Sequence, residues 1–527
     1  MDQDTIIHGK IAQKWYWRQV ISLTLICFFS IYCFIEVVLG FSQLFGLTQS
    51  KHFSRCITGS FSNPGPYGGF LSLCISILAP YAYRNNRTFP CPLFTNIIIR
   101  FCVVICISAA ILLPATLSRA AFIALYFNIT IFIYRLKNKC FTRFTSRRFW
   151  LWSILVSAIV VVVSYLFKKE SADGHLFIAR ICVITMLNDG LKGAGSFHFG
   201  GAYGETQHDY FKKLILENGT DDLDWSAIPE HIRLIAGCPD NAFNEYLNIG
   251  VEYGSIAMII FTIIILIATT VSIVRNTIWC YGVMTFAIIA LFSYPMHLWQ
   301  FQVLVPILLL ACIIDSGNYY VNKNMILHRL FEKSIVIIIL IVSIKMSLLK
   351  YSEYRLEKET ESAWIETERL FEMGCYDLVV ENCMSLFDYL QHDSKFLFDY
   401  GLSLNMTGDY EKSDSILKLG ATLSSDPMFW NVMGDNSLKL GHYRKSEECY
   451  KHAFYMVPNR IYPLSLLAKL YHNEGDTIRF IKMADIVNNF IPKIENSNTL
   501  SLRSEIINIK NTYYSDTLQI NVKNDEK

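Results

Sequence analysis

The chain has 527 residues, 52% of them hydrophobic, and a formal net charge of +2. That balance excludes a strongly basic nucleic-acid binder. The positive mean hydropathy is unevenly spread: residues 20–348 carry long uncharged runs, whereas 350–527 read like a soluble protein.

The N-terminus, Met1-Asp-Gln-Asp, lacks a basic stretch followed by a short apolar core and a small-residue cleavage site. No cleavable signal is therefore expected, and the first helix serves as the targeting element. A bilayer crossing needs about 20 mostly apolar residues. Nine spans are predicted, at 20–45, 67–83, 95–114, 119–135, 149–167, 247–272, 277–295, 298–315 and 332–349. Basic residues set the orientation. Lys10, Lys14 and Arg18 precede the first span, and Arg84 and Arg87 follow the second. Arg135, Lys137, Lys139, Arg143, Arg147 and Arg148 lie between the fourth and fifth, and Lys323, Arg329 and Lys333 precede the ninth. All four groups then fall on one side, the cytoplasm, with the N-terminus. A polar loop, 168–246, and the C-terminal part both face outward, into the periplasm if the cell is Gram-negative. Loops this long inside a compact protein are usually functional.

Further on, Gly374-Cys-Tyr, Gly408-Asp-Tyr, Gly441-His-Tyr and Gly475-Asp recur at spacings of 34, 33 and 34 residues. This is the tetratricopeptide period, in which a helix ends at a glycine. Asp426-Pro427 and Val457-Pro458 supply breaks between repeats. Small and aromatic residues (Tyr400-Gly401, Met433-Gly434, Tyr450, Ala453-Phe454) recur where helices must approach closely. Stacked helix pairs offer a concave surface for a protein partner; a rigid spacer or dimer contact is the plainer alternative. The expected fold is therefore all-α: a polytopic bundle of about nine transmembrane helices over 1–349, a tetratricopeptide solenoid over 350–512, and a polar tail over 513–527.

Most of the fifteen cysteines lie in apolar runs, as small hydrophobes. Cys56 and Cys238 pair only if both face an oxidising compartment. No CxxC or other metal-ligand spacing is visible, and Gly193, Gly195, Gly200, Gly201 and Gly204 form neither a P-loop nor a dinucleotide fingerprint. Those glycines are read as a flexible loop centre that admits a bulky ligand.

The segment Asn241-Ala-Phe-Asn-Glu-Tyr-Leu-Asn-Ile-Gly-Val-Glu-Tyr-Gly254, where the loop re-enters the apolar region, resembles the re-entry motif of the O-antigen ligase and polymerase superfamily. Three further segments are similar to that superfamily: Gly59-Ser-Phe-Ser-Asn-Pro-Gly-Pro-Tyr-Gly-Gly69, Leu117-Ser-Arg-Ala-Ala121, and Arg180 followed by Leu191-Lys-Gly-Ala-Gly195. Gly204-Glu-Thr-Gln-His-Asp-Tyr-Phe211 looks like a variant found in members that carry tetratricopeptide repeats. The match covers about residues 58–315. The resemblance implies an inner-membrane enzyme that moves a polyprenyl-pyrophosphate-linked glycan to an acceptor without metal or other cofactor. The acceptor is lipid A core, a protein side chain or another glycan, the last making it a polymerase.

Chemistry assigns tasks to the residues. Cleaving the sugar–phosphate bond builds charge on pyrophosphate, which arginine stabilises bidentately; Arg119 and Arg180 are the candidates. A snorkelling helix-end arginine is the plainer reading of Arg119. An acceptor needs a base. The superfamily commonly places a histidine just before the re-entry asparagine, where this chain has Phe243; His208, His231 and Asp240 are the substitutes. Asn244 and Glu252, eight residues apart, fall on much the same helix face, Glu252 being alternatively a structural hydrogen-bonding group. Glu245 and Tyr246 are expected on other faces. A non-catalytic membrane-anchored tetratricopeptide scaffold is the competing class, and a transporter the third, though mid-span charges and repeat symmetry are lacking.

Overall fold

The computed structural model describes residues 3–52, 57–84, 92–140, 147–167, 169–274, 277–316, 360 and 362–525, which are helical with no strand among them. Cys56, Arg87, Arg143, Lys323, Arg329, Lys333 and the expected span 332–349 lie outside the described residues. The chain divides into two compact units: residues 1–169, 243–246 and 257–352 form one, and residues 170–242, 247–256 and 353–527 the other. The segment expected as a loop of the membrane domain thus groups with the repeats.

In the first unit, α1 (Gln3–Leu44), α2 (Pro64–Arg84), α3 (Pro92–Thr116), α4 (Arg119–Cys140) and α5 (Arg147–Phe167) come in chain order. After the second unit's α6 (Lys169–Asp189), α7 (Phe199–Asn218) and α8 (Glu230–Ile235), and α9 (Glu245–Tyr253), which bridges the division, come α10 (Ser255–Val274), α11 (Cys280–Ala290) and α12 (Trp299–Ser316). Helix α1 buries Ile26, Phe29, Cys33 and Val37, a spacing that makes one face. It packs on α3, which buries Cys102, Ile105, Ala109 and Leu112. The opposite faces leave Phe28, Ile31, Ile35, Val104, Ile107 and Ile111 exposed. Helix α2 lies against α3, α4 and α11 and is buried along most of its length. Asn128 ties three helices together, its Nδ2 donating to Ser76 at 3.0 Å and Thr285 at 2.6 Å. Among the described residues, two stretches, Val20–Leu44 and Asn96–Thr116, are long and apolar enough to cross a membrane; Ser255–Val271, Cys280–Ala290 and Trp299–Cys312 are apolar but shorter. The expected span 247–272 is broken at Gly254, whose φ of +90° ends α9.

The second unit is a helical repeat. Gly374, Gly408, Gly441 and Gly475 all take φ between +75° and +89°. At each, the glycine N–H and the next residue's N–H return to carbonyls of the preceding turn, as in Gly408 to Asn405 (3.1 Å) and Asp409 to Leu404 (2.9 Å). That pairing closes a helix and needs a left-handed residue, so glycine recurs at the repeat period. Gly434 supplies the close approach: a Cβ there falls 2.4 Å from the Tyr450 ring. The segment expected as the polar tail, 513–527, begins inside the helix Ser497–Asp525.

Residues 170–242 are helical and share an apolar core with the repeats. Phe177, Ile181, Phe199, Tyr203, Phe211 and Ile215 cluster with Phe454, Leu464, Leu467, Phe480 and Phe490. Gly200, Gly201 and Gly204 are therefore not a flexible loop centre but the start of α7. A Cβ on Gly200 or Gly201 falls 2.4 Å from the Leu423 carbonyl oxygen or 2.1 Å from that of Thr422.

Gly201→Ala is expected to destabilise this unit by about 1–3 kcal/mol, because rigid backbone is the obstacle. Gly237→Ala, where a Cβ meets nothing within 4 Å, stays within about 0.5 kcal/mol. Thermal unfolding of the full chain compares them. A second expectation concerns Asp399, buried in the repeat helix Ser394–Thr407. Burial, against the pull of Lys395 and with Glu368 and Asp393 adding to it, raises its carboxyl to about 6. The folded form thus holds its proton more tightly than the unfolded chain, so stability falls as pH rises from about 4 to about 6 and stays reduced above. Asp399→Asn is expected to raise stability at pH 7.5 by roughly 2 kcal/mol and to leave it unchanged at pH 4. Equal shifts at both pH values refute this.

Candidate functional site

In the first unit, the segments singled out in the sequence meet in one polar network. Gln43 Oε1 accepts the N–H groups of Thr58 and Gly59, both at 2.8 Å, and its Nε2 donates to the Gly59 carbonyl at 2.9 Å. Gly59, with φ of +57°, could carry no side chain, since a Cβ falls 2.4 Å from the Tyr67 ring. Glu36 is 2% exposed, and its carboxylate accepts from Ser60 N–H at 3.0 Å and Ser60 Oγ at 2.5 Å. Ser60 Oγ in turn accepts from Gln300 Nε2 at 3.2 Å. Ser118 Oγ donates to the Gly65 carbonyl at 3.0 Å, so the Leu117–Ala121 element lies beside the Gly59–Gly69 element. A Cβ on Gly68 falls 2.5 Å from Ser118 Cβ and Thr116 Oγ1.

Asn63 Nδ2 extends the network to Tyr294 Oη at 3.3 Å, and Phe243 stands edge-on to the Tyr294 ring. Glu245, expected on a different helix face from Asn244 and Glu252, is 2% exposed. Its Oε2 accepts the Met296 N–H at 2.9 Å, and its Oε1 lies 3.7 Å from His297 Nδ1. Tyr246 likewise turns inward, donating from its hydroxyl to the Ala287 carbonyl at 3.2 Å. Asn244 Oδ1 accepts the Tyr246 N–H at 3.0 Å, starting α9. Arg119 opens α4 beside Ser118. Gln300 Oε1 and Gln302 Oε1 are buried without a hydrogen-bond partner among the described residues. Leu117 and Phe243 hold φ of +50° and +49°, strain that residues with a Cβ keep only when their surroundings impose it. Sequence reasoning missed Glu36, His297 and the Glu245 pairing; His297 falls in the short connection between the expected spans 277–295 and 298–315.

The remaining candidates belong to the second unit. Glu252 Oε1 accepts the Phe197 N–H at 3.1 Å, while the carbonyls of Val251 and Glu252 accept from Ala194 and Gly195, both at 2.8 Å. The Leu191–Gly195 element therefore closes the end of α9, and the carboxylate supports that closure. Arg180 is exposed on α6, its guanidinium 5.2 Å from the Tyr210 ring centre. His231 is exposed on α8. Asp240 sits on the surface, yet partial burial of its carboxyl, and then the charge of Asp426, hold its pKa above the ordinary carboxylate range. His208 is buried within the repeat unit: its ring stacks on His452 at 3.9 Å, and Nδ1 donates to Asp209 Oδ1 at 2.9 Å. Burial first, then His452, lowers its pKa to about 4 against the opposing pull of Asp209 and Glu205. A charged depression of about 460 Å³ is lined by Arg444, Glu447, Glu448, Lys451, Glu474 and Arg479, which pair with one another.

The structure defines an all-helical chain whose second unit is a helical repeat and whose first holds a buried polar network. No family model and no curated protein matches it. Among solved structures, the crystal structure of MamA aligns with 25% of this chain and 79% of its own, at 13% identity and a TM-score of 0.23, and that likeness carries no weight for function.

Glu36→Ala is expected to destabilise the first unit by about 1–3 kcal/mol, because Ser60 loses the acceptor for two donors. Glu36→Gln, which keeps one acceptor, costs less. Proteolysis of the 57–63 segment in the purified chain ranks the variants; equal resistance in all three contradicts the assignment.

Proposed function

We propose that this chain is a polytopic inner-membrane glycosyltransferase of the O-antigen ligase type, with tetratricopeptide repeats on the same outward face as its chemistry. It takes a polyprenyl-pyrophosphate-linked glycan and transfers it to an acceptor: lipid A core, a protein, or another glycan. The observation that carries this reading is the Glu245–His297 pair, set in the network that joins three of the four family-like segments. The superfamily's histidine position is Phe243, and His297 lies one aromatic ring away, past Tyr294. A histidine held by a buried carboxylate is a general base suited to neutral pH. The 3.7 Å separation suits a pair that tightens when substrate binds. The apolar outer faces of α1 and α3 fit lipid.

In the proposed step, an acceptor hydroxyl or amine gives its proton to His297, and its lone pair forms the new bond at the anomeric carbon. The bond from that carbon to phosphate breaks with its electron pair leaving on pyrophosphate, so the configuration inverts. Arg119 meets the developing charge. Glu245 holds the imidazole and stabilises it once protonated. Asn63, Tyr294 and the amide oxygens of Gln300 and Gln302 supply hydrogen-bonding groups for sugar hydroxyls. The repeats engage a protein acceptor or partner.

Complementation of a deletion strain, with surface glycan read on gels and membrane abundance checked, tests this. His297→Ala is expected to lower transfer by roughly 10²–10⁴-fold and Arg119→Ala by about 10²-fold or more, at normal abundance. His208→Asn and His231→Ala, outside the proposed machinery, keep transfer. Full glycan in both His297→Ala and Arg119→Ala overturns the reading in favour of a non-catalytic scaffold.

A further inference from the structure

We propose that Glu205, His208 and His452 form a divalent transition-metal site, of zinc(II) preference, that fastens α7 to the repeat helix Tyr443–Met456. The three side chains bring one ligand atom each to within 4.8 Å of one another. Glu205 and His208 are three residues apart on α7, hence neighbours on one helix face. His452 comes from the second helix, and its Nε2 already lies 3.1 Å from Glu205 Oε1. Zinc bonds of about 2.0–2.1 Å place tetrahedral ligand atoms roughly 3.4 Å apart. One edge of the polyhedron is therefore near its bonding length, and the others close by rotation of the histidine side chains.

Three details suit a ligand set rather than a chance cluster. His208 Nδ1–H is engaged by the Asp209 carboxylate at 2.9 Å, which fixes the tautomer and directs Nε2 as the ligating nitrogen. Metal-bound histidines almost always have such an outer partner. The His452 ring stacks between Trp430 at 3.7 Å and His208 at 3.9 Å, and because an imidazole ligates in its own ring plane, one of the two histidine rings turns out of that stack when they share an ion. Two imidazoles and one carboxylate favour zinc over calcium or magnesium, which prefer oxygen. Glu205 is half exposed, 50% for its side chain, giving an entry path and leaving the fourth position to water. The sequence hides this set, because His452 is far along the chain from the Glu205–His208 pair.

Cobalt(II) added alone to the metal-free full-length protein tests the site. The expected result is one ion per chain, displaced by zinc(II), with the visible absorption of a four-coordinate nitrogen–oxygen site and no thiolate charge-transfer band. His452→Ala abolishes that spectrum, and zinc raises the melting temperature of the wild-type chain but not of the variant. Should His452→Ala fail to fold, Glu205→Gln, a conservative change at a half-exposed position, carries the test with an affinity loss of about tenfold or more. Absence of stoichiometric binding at micromolar metal, a thiolate band, or unchanged binding in Glu205→Gln overturns the proposal. The inference is independent of the transferase reading.

Discussion

The second unit depends on α7 lying directly on repeat backbone. Gly200 and Gly201 bring it so close to the Leu423 and Thr422 carbonyls that no side chain fits between. Backbone at that range must have its polar groups met, and Gln207 shows how. Its Nε2 donates to the Met456 carbonyl at 2.5 Å and the Gly237 carbonyl at 3.0 Å, while Oε1 accepts from Tyr203 Oη at 2.8 Å. Downstream of α7 the same logic recurs. Asn459 Nδ2 donates to the carbonyls of Arg233 and Ala236, at 2.8 and 2.9 Å. Arg233, 1% exposed, spans from the Ile491 carbonyl to the rings of Trp225 and Phe490. A segment tied at this many buried points is a wall of the repeat domain. His208 is correspondingly committed to that wall, whereas His231 and Asp240 lie at its surface, and the transferase reading places its base in the first unit.

The first unit rests on a different economy, that of buried carboxylates. Removing a carboxylate from water costs several kcal/mol unless hydrogen bonds replace the solvent. Glu36 meets that cost by holding Ser60 through both its backbone and its hydroxyl, which fixes a turn already shaped by Gly59. Glu245 meets it through the Met296 N–H and the nearby His297 ring. The first carboxylate is wholly absorbed in architecture, whereas the second retains an oxygen facing a titratable ring.

Legibility in the sequence followed the range of the interactions. Gly374, Gly408, Gly441 and Gly475 announced themselves because a helix-closing turn is local, and each needs a left-handed residue at the same point of the period. Apolar faces of α1 and α3 were legible for the same reason. The polar composition of 170–242 suggested a loop, because its hydrophobic residues are sparse and their partners, such as Phe454 and Phe480, lie far away in sequence. Glu252 was visible as an acid near an apolar segment, but its acceptor role toward Phe197 depends on a turn at Gly193 and Gly195 that no spacing encodes. His297 was concealed by its neighbours: Tyr294-Pro-Met-His-Leu-Trp299 reads as a connector, and its meaning comes from Glu245, some fifty residues earlier.

Backbone strain sharpens the distinction between architecture and chemistry. Among the described residues, Leu117, Phe197 and Phe243 are the non-glycine positions with positive φ. Phe197 is explained by its own hydrogen bond to the Glu252 carboxylate, which draws that amide inward. Leu117 directly precedes Ser118 and Arg119, and Phe243 directly precedes Asn244 and Glu245. Both turn the chain so that a helix starts with its polar residues facing the network, one helix with Ser118 against Gly65 and the other with Glu245 against Met296. A left-handed residue with a Cβ costs on the order of 1 kcal/mol, and a glycine would relieve it at either place. Leucine and phenylalanine recover the cost only through what their side chains contact, and for Phe243 that contact is the Tyr294 ring. Phe243 thus holds the Tyr294–His297 turn beside Glu245.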